Sequence, residues 1–345
     1  MSLFGRDIGI DLGTANTLIY VKGKGIVLRE PSVVALNRYT KEVLAVGNDA
    51  KEMVGRTPDS IIAVRPMSEG VISDFAMTYN LIKFFLKKVL KNGIFVKPRV
   101  VACVPAGVTD VEKRAVEDAV LQSGAKEVHI TEESMAAAIG AGLPVVDPFG
   151  NMILDIGGGT SEVAVISLGA IVTSKTVRVA GDAFDRAIID YVKKVHNLQI
   201  GDRTAEQVKI QIGSVYECDD IIPEMDVRGR DLVSGLPRNI IITAKEAREA
   251  LIEPIRVVVD AVKETLETTP AELSADIVEN GIILTGGGAL LRGLDKLLNA
   301  ETHLPVRVAE SALDCVVLGA GMLLEEIDTL KLINNDKNKV KNYRR

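Results

Sequence analysis

Two short stretches of this chain carry residue types suited to work on a phosphate. Asp11-Leu-Gly13-Thr14-Ala15-Asn16-Thr17 and Asp155-Ile-Gly157-Gly158-Gly159-Thr160-Ser161 each follow an apolar run, and both read as strand, Asp-x-Gly turn, strand. Glycine keeps side chains out of the way, so that backbone N–H groups can converge on phosphate oxygens. The hydroxyls of Thr14, Thr17 and Thr160 and the amide of Asn16 add further donors. An aspartate at the end of each first strand offers a carboxylate to Mg²⁺, which takes one or two carboxylates and fills its remaining positions with water and phosphate oxygens. One such turn alone reads equally well as an ordinary tight turn. Two of them, 144 residues apart, together with a third glycine turn at Gly286-Gly287-Gly288, point to a duplicated phosphate cradle. Neither a G-x-x-x-x-G-K-[ST] loop nor a G-x-G-x-x-G fingerprint is present, so the two commonest nucleotide motifs are excluded.

The elements that must hold these turns follow an α/β alternation. A spacing of one domain length between the two Asp-x-Gly turns predicts two related lobes, which suits a chain of 345 residues. Arg99 to Val104 reads as a buried strand, and Thr109-x-x-Glu112 is a capping box opening a helix that runs to about Ser123 and stops at Gly124. Met77 to Lys91 is amphipathic, with Leu81, Ile82, Phe85, Val89 and Leu90 on one side. The third glycine turn follows a strand over Gly281 to Thr285 and precedes a predicted helix over Ala289 to Leu298. From Thr243 to about Thr268 the pattern is helical around Pro254, which makes either two helices or one kinked helix. A second echo pairs Ala136–Leu143 with Val316–Met322; Gly140, Gly142, Gly319 and Gly321 either let two helices, one per lobe, cross closely at a hinge, or merely end those helices.

Composition narrows the function classes. Lys and Arg number 41 against 47 Asp and Glu, a net charge of −6, which argues against nucleic acid as a partner. Cys103, Cys218 and Cys315 are far apart, as are His129, His196 and His303, so neither a disulfide framework nor a histidine metal site is expected. No basic-apolar leader and no run of 18 apolar residues occurs, and a cytoplasmic location is the expectation. Residues 331–345 carry six basic side chains against one acidic and read as a disordered, solvated tail.

Taken together, these motifs resemble the actin superfamily of ATPases: two duplicated lobes, paired phosphate hairpins, two connecting helices and an adenosine motif. The hairpins correspond to Asp11–Thr17 and Asp155–Ser161, the connecting helices to Glu132–Leu143 and Cys315–Leu324, and the adenosine motif to Thr285–Leu291. Within that superfamily the chain is most similar to the bacterial MreB/Mbl family of shape-determining cytoskeletal proteins. The likeness rests on Asp11–Thr17, Gly47–Lys51, Val54–Pro58, Gly70–Ile72, Gly201–Glu206, Val227–Arg230 and Leu284–Leu291, and spans roughly residues 7 to 328. It implies an α/β actin-like ATPase fold with a mixed sheet flanked by helices in each lobe and a nucleotide cleft between them. Lobe I would cover 1–143 with a small subdomain near 32–72. Lobe II would cover 144–315 with a small subdomain near 181–243, and 316–330 would return to lobe I.

The resemblance also implies roles. Asp11 and Asp155 would face Mg²⁺ and its waters; Thr14, Ala15, Asn16, Gly158, Gly159 and Thr160 would cradle the phosphates of ATP. Glu206, Gln207, Val208 and Lys209, with Gly286, Gly287, Gly288 and Ala289, would approach the adenine and ribose. Glu133 would orient the attacking water, with Glu132 the competing choice. Many relatives place proline after these glutamates where this chain has Ser134, which bears on how rigidly Glu133 is held. The implied activity is slow ATP hydrolysis coupled to assembly of paired protofilaments at the inner face of the cytoplasmic membrane. A transmembrane adaptor and the wall-elongation machinery are the implied partners. Ile94 and Phe95, beside Lys88, Lys91 and Lys97, are candidate membrane anchors, helped by Leu3 and Phe4; otherwise they simply pack within the small subdomain. A sugar kinase on the same core is the alternative, although no substrate domain or placed aspartate base is evident. A chaperone-type ATPase would need a further domain after the core.

Overall fold

A computed structural model describes residues 7–90, 97–217 and 223–325. Apolar residues on successive short strands build an antiparallel meander of β1 (Ile8–Leu12), β2 (Asn16–Val21) and β3 (Gly25–Pro31). β4 (Val34–Asn37), β5 (Val43–Val46) and β6 (Ile61–Val64) form a separate sheet in the order β5-β4-β6, with α1 (Asn48–Met53) between its last two strands in sequence. β7 (Met67–Ser68) and β8 (Val71–Ile72) make a two-stranded ribbon. α2 (Phe75–Leu90) then buries Leu81, Ile82, Phe85 and Leu86 against the meander, and β9 (Arg99–Val104) joins β1 in parallel. α3 (Asp110–Gln122) opens with the expected box: Thr109 Oγ1 accepts from Glu112 N, and the Glu112 carboxylate accepts from Thr109 N. It returns the chain to β10 (Glu127–Glu132), parallel to β9, and from there directly into α4 (Glu133–Gly140).

The second half repeats this order. β11 (Asn151–Ile156), β12 (Ser161–Ser167) and β13 (Ala170–Val177) form a meander. Every residue of β11 and β12 is buried, as expected of strands covered on both faces. α5 (Gly181–His196), β14 (Leu198–Gln199), α6 (Asp202–Ile212), β15 (Glu224–Asp231) and β16 (Pro237–Thr243) follow, the strands ordered β14-β15-β16. α7 (Ala244–Thr268) is capped by a second box, Thr243 with Glu246, and passes through Pro254 as one helix. Burial of Leu251, Ile255, Val258 and Val262 along one side opposes the roughly 3 kcal/mol that a mid-helix proline costs. α8 (Ala271–Asn280) leads to β17 (Ile282–Thr285), which pairs with β11 in parallel. A 3₁₀ turn over Gly287–Leu290, α9 (Leu294–Thr302) and β18 (Val306–Val308) complete the set. The two main sheets, β3-β2-β1-β9-β10 and β13-β12-β11-β17-β18, share one topology: three antiparallel strands, then two added in parallel. The duplication seen in two turns therefore extends to whole sheets.

The chain falls into two compact units. One holds the described residues within Met1–Val104, Val108–Gly142 and Asp314–Arg345; the other holds Pro105–Gly107 and Leu143–Leu313. The excursion of Pro105–Gly107 into the second unit has no sequence signal. After Leu313 the chain returns to the first unit as α10, helical over residues 315–325.

Two sequence expectations need correction. The helix expected over Ala289 to Leu298 begins only at Leu294, because Gly293 takes a left-handed φ of 78° and Arg292 is drawn into a bridge with Ser214. The two small-residue helices, α4 and α10, both belong to the first unit rather than one to each lobe. Their approach is close: a Cβ on Gly140 would sit 1.9 Å from the Cys315 carbonyl oxygen, and one on Gly319 would sit 1.8 Å from that of Ala136. Gly142, at φ 76°, serves the other role and ends α4.

Candidate nucleotide site

In the first unit the turn between β1 and β2 is shaped from below by Ser32. Its hydroxyl donates to the Gly13 carbonyl at 2.7 Å and lies 2.8 Å from Thr17 Oγ1, while its N–H donates to the Ala15 carbonyl at 3.0 Å. A Cβ on Gly13 would meet the Asn16 carbonyl oxygen at 2.8 Å, so the turn closes only around glycine. Thr14 is buried, and its Oγ1 accepts from Gly70 N at 3.0 Å. That bond uses a lone pair and leaves the hydroxyl proton to donate to an anion. Asp11, half-buried, is in register with Leu18 of β2 and Cys103 of β9; Asn16 is exposed. Sequence reasoning missed Ser32 and the role of Gly70, because both act across 15 to 56 residues with no local pattern.

The two consecutive glutamates diverge. Glu132 is the last residue of β10, and its carboxylate lies 3.9 Å from Lys113 of α3. Glu133 is the first residue of α4, half-buried, where the helix dipole favours a carboxylate. Ser134 behind it is completely buried.

In the second unit Asp155 is buried, and its Oδ1 accepts from Thr285 Oγ1 at 2.8 Å. Burial pushes its pKa up to about 6, with the Thr285 hydrogen bond pulling the other way. Register places Thr285, Asp155, Glu162 and Thr176 directly opposite one another on β17, β11, β12 and β13, so the four side chains share one face of the sheet. The glycine turn after β11 is tight, Gly157 N donating to the Thr160 carbonyl at 2.9 Å. It docks on the start of α5: Gly181 N and Asp182 N donate to the carbonyls of Gly157 and Gly158 at 3.2 and 2.8 Å. Gly159 and Thr160 are buried, while Gly158 stays half-open.

α6 contributes next to this turn. Lys209 Nζ lies 2.8 Å from Asp185 Oδ1 and donates to the Gly181 carbonyl at 3.0 Å, tying α6 to the first turns of α5. Burial pushes Asp185 up to about 6; Lys209 pulls it down, and the nearby Glu206 and Asp182 push it further up. Val208 is fully buried in the core, so its side chain faces away from solvent and leaves Glu206, Gln207 and Lys209 as the polar members of the stretch 206–209. In the third turn, Gly286 has φ 79° and donates to the Ala312 carbonyl at 2.8 Å. A Cβ on Gly288 would collide with Ile156 Cγ2 at 2.1 Å, whereas one on the exposed Gly287 would only touch Leu313 Cδ2 at 3.4 Å. Ala289 is buried beneath them.

The donor set fits Mg²⁺ bound through few carboxylates. Among the described residues no group of three or more His, Cys, Asp or Glu forms a metal cage. Asp155 is nonetheless a buried carboxylate with a raised pKa beside a phosphate-type turn, where a cation and its waters would relieve the desolvation. Ile94 and Phe95, with Leu3, Phe4, Lys91 and the basic tail, lie outside the described residues.

Duplicated five-stranded sheets, each carrying an Asp-x-Gly turn after the same strand, define an actin-like protein. The family model described as MreB/Mbl protein matches residues 5–332. The cell shape-determining protein Mbl of Bacillus subtilis (strain 168) is 54% identical over 328 residues, covering 95% of this chain and 98% of that protein. The cell shape-determining protein MreB of Escherichia coli (strain K12) is 54% identical over 331 residues, covering 94% and 95%. Among solved structures, MreB 5 of Spiroplasma citri bound to AMPPNP superposes with a TM-score of 0.90 at 40% identity, covering 97% of this chain and 98% of that one. A MamK double helical filament, at 21% identity and a TM-score of 0.80, shares the fold. The chain belongs to the MreB/Mbl family.

Proposed function

We propose that this protein binds ATP with Mg²⁺, hydrolyses it slowly, and assembles into paired protofilaments on the inner face of the cytoplasmic membrane that organise wall synthesis and set rod shape. The observation that carries the reading is the buried, in-register Asp155 behind a glycine turn docked on a helix start, repeated in outline by Asp11 and the turn after β1. Relatives support it: those at 54% identity are named cell shape-determining proteins, and the Spiroplasma citri relative is described bound to AMPPNP and to ADP. A sugar kinase gains no support from these relatives.

In this reading Asp11 and Asp155 hold Mg²⁺ through water. Bound there, the ion neutralises charge on the phosphate oxygens. Thr14, Ala15 and Asn16, with Gly158, Gly159 and Thr160, present amides and hydroxyls to the phosphates; Lys209 keeps the second turn seated on α5 through Gly181. Glu206, Gln207 and the exposed Gly287 face adenine and ribose, while Gly286, Gly288, Val208 and Ala289 shape the wall behind them through backbone and packing. Glu133 orients the water for in-line attack, Glu132 being drawn toward Lys113. Protein groups make no covalent bond in such a reaction, so positioning carries most of the rate. The membrane contact is assigned to Ile94 and Phe95, and a transmembrane adaptor with the elongation machinery is the proposed partner. No described helix is long and apolar enough to cross a membrane.

Electron microscopy on anionic lipid, with Mg-ATP, without nucleotide, and with Asp155→Ala, tests the reading. Membrane-bound paired filaments that require both nucleotide and Asp155 are expected. Monomers that hydrolyse ATP at an undiminished rate would refute the filament role.

A further inference from the structure

The hydroxyl protons around the turn after β1 can be assigned one by one. Ser32 is completely buried, and its single O–H donates to the Gly13 carbonyl at 2.7 Å, an oxygen that can only accept. The 2.8 Å contact between Ser32 Oγ and Thr17 Oγ1 must then run the other way, with Thr17 donating and Ser32 accepting. Thr17 is 1% exposed and has no second proton to give. The donor expected from its place in the motif is therefore spent inside the fold.

Ser32 acts on the backbone as well. Its N–H donates to the Ala15 carbonyl at 3.0 Å, so one residue holds the carbonyls of both Gly13 and Ala15 from below. A carbonyl oxygen facing a phosphate repels it and an N–H attracts it, so a cradle needs these two oxygens turned away. Among the described residues, no backbone carbonyl takes the N–H of Gly13, Thr14 or Ala15. Ser32 is itself pinned. β3 ends on Pro31, opposite Asn16; Val33 N donates to the Pro31 carbonyl at 2.9 Å, and Gly47 N to the Val33 carbonyl at 2.9 Å. All of these residues belong to the first unit. We infer that Ser32 is a positioning residue for the proposed ATP binding: the relay from Thr17 through Ser32 to Gly13 keeps the carbonyls of the turn inward, and Thr17 serves that relay instead of the phosphates. The inference rests on the ATP reading above and adds to it a residue outside the phosphate and adenosine motifs.

Calorimetric titration of AMPPNP and of adenosine into wild type, Ser32→Ala, Thr17→Val and the double variant tests it. Adenosine carries no phosphate and so reports general damage to the site. Ser32→Ala should weaken AMPPNP by about tenfold, the scale of one lost hydrogen bond, and leave adenosine within about twofold. Thr17→Val should weaken AMPPNP by less than about threefold, and the double variant should bind no more weakly than Ser32→Ala alone, because both changes break one relay. An unchanged AMPPNP affinity in Ser32→Ala, an equal loss for adenosine, or additive losses in the double variant overturns the inference. If Ser32→Ala does not fold, Thr17→Val decides alone: a loss above about threefold confined to AMPPNP makes Thr17 a phosphate donor and overturns the inference, and a smaller one upholds it. A wild type that binds neither AMPPNP nor ATP instead sinks the underlying ATP reading.

Discussion

If Asp155 serves the proposed nucleotide site, it should weaken the nucleotide-free protein. Its pKa rises from 3.8 to about 6 on burial. At 1.36 kcal/mol per pKa unit, keeping it ionised costs the nucleotide-free fold about 3 kcal/mol above pH 6. The sign follows from a raised folded-state pKa. Between about pH 4 and pH 6 the native state binds the extra proton, so this part of the stability is present below pH 4 and is lost as pH rises through 6. Asp155→Asn removes the charge and keeps an oxygen for Thr285 Oγ1. In EDTA at pH 8 the Asn variant should melt higher, by roughly 5–10 °C for a unit of this size. The gap should shrink on acidification and close near pH 4. Comparing the two proteins cancels the similar burial of Asp185. With Mg-ATP added the order should reverse, because only the carboxylate gains from the cation. Differential scanning fluorimetry over pH 4–8, with and without Mg-ATP, reads all of this. An Asn variant that melts lower than wild type at pH 8, or by a margin independent of pH, would refute the reasoning.

Three further outcomes are expected. Glu133→Ala should bind AMPPNP normally but hydrolyse ATP about a hundredfold more slowly or worse, with filaments that outlast those of wild type; single-turnover assays and light scattering measure both. Gly319→Ala places a methyl against the Ala136 carbonyl and should cost about 1–3 kcal/mol or more in urea unfolding, whereas Gly23→Ala, with open space around it, should cost less through its positive φ alone. Lys209→Met leaves Asp185 buried without its cation and should destabilise the protein by about 3–5 kcal/mol at pH 8, less at pH 5, where the carboxyl is protonated.

The duplication was legible because each copy repeats a local signal: an apolar strand, an aspartate and a glycine turn within about ten residues. From it came the two related lobes, and with the other motifs it carried the resemblance that implied an actin-like fold; the structure extends the repeat to the order of whole sheets. The capping box at Thr109 was equally local and equally visible, whereas at Thr243 the sequence reading marked only the start of a helix and the structure supplies its box with Glu246. Contacts between distant residues were not. Ser32 beneath Gly13, Gly70 on Thr14, and Ala106 on Glu162 join residues 19 to 56 positions apart, with side chains that any surface might carry. Leucine spacing extended the helix after Gly288 too far back, since hydrophobic period is blind to the left-handed backbone of Gly293. Val208 entered through the resemblance rather than through hydrophobic period, and the structure puts its side chain in the core beside polar motif neighbours.

The late return of α10 has a consequence for biosynthesis. The second unit is nearly continuous in sequence, but the first is completed only when residues 315–325 have emerged. At roughly 5–20 residues per second, the ribosome takes about 10–40 s to travel from the end of α4 to the end of α10. Throughout that interval the surface formed by Gly9, Tyr20 and Ala136 has no helix against it. A nascent chain can thus finish its second unit while the first still lacks its last element, and the first unit completes only after the second has been synthesised.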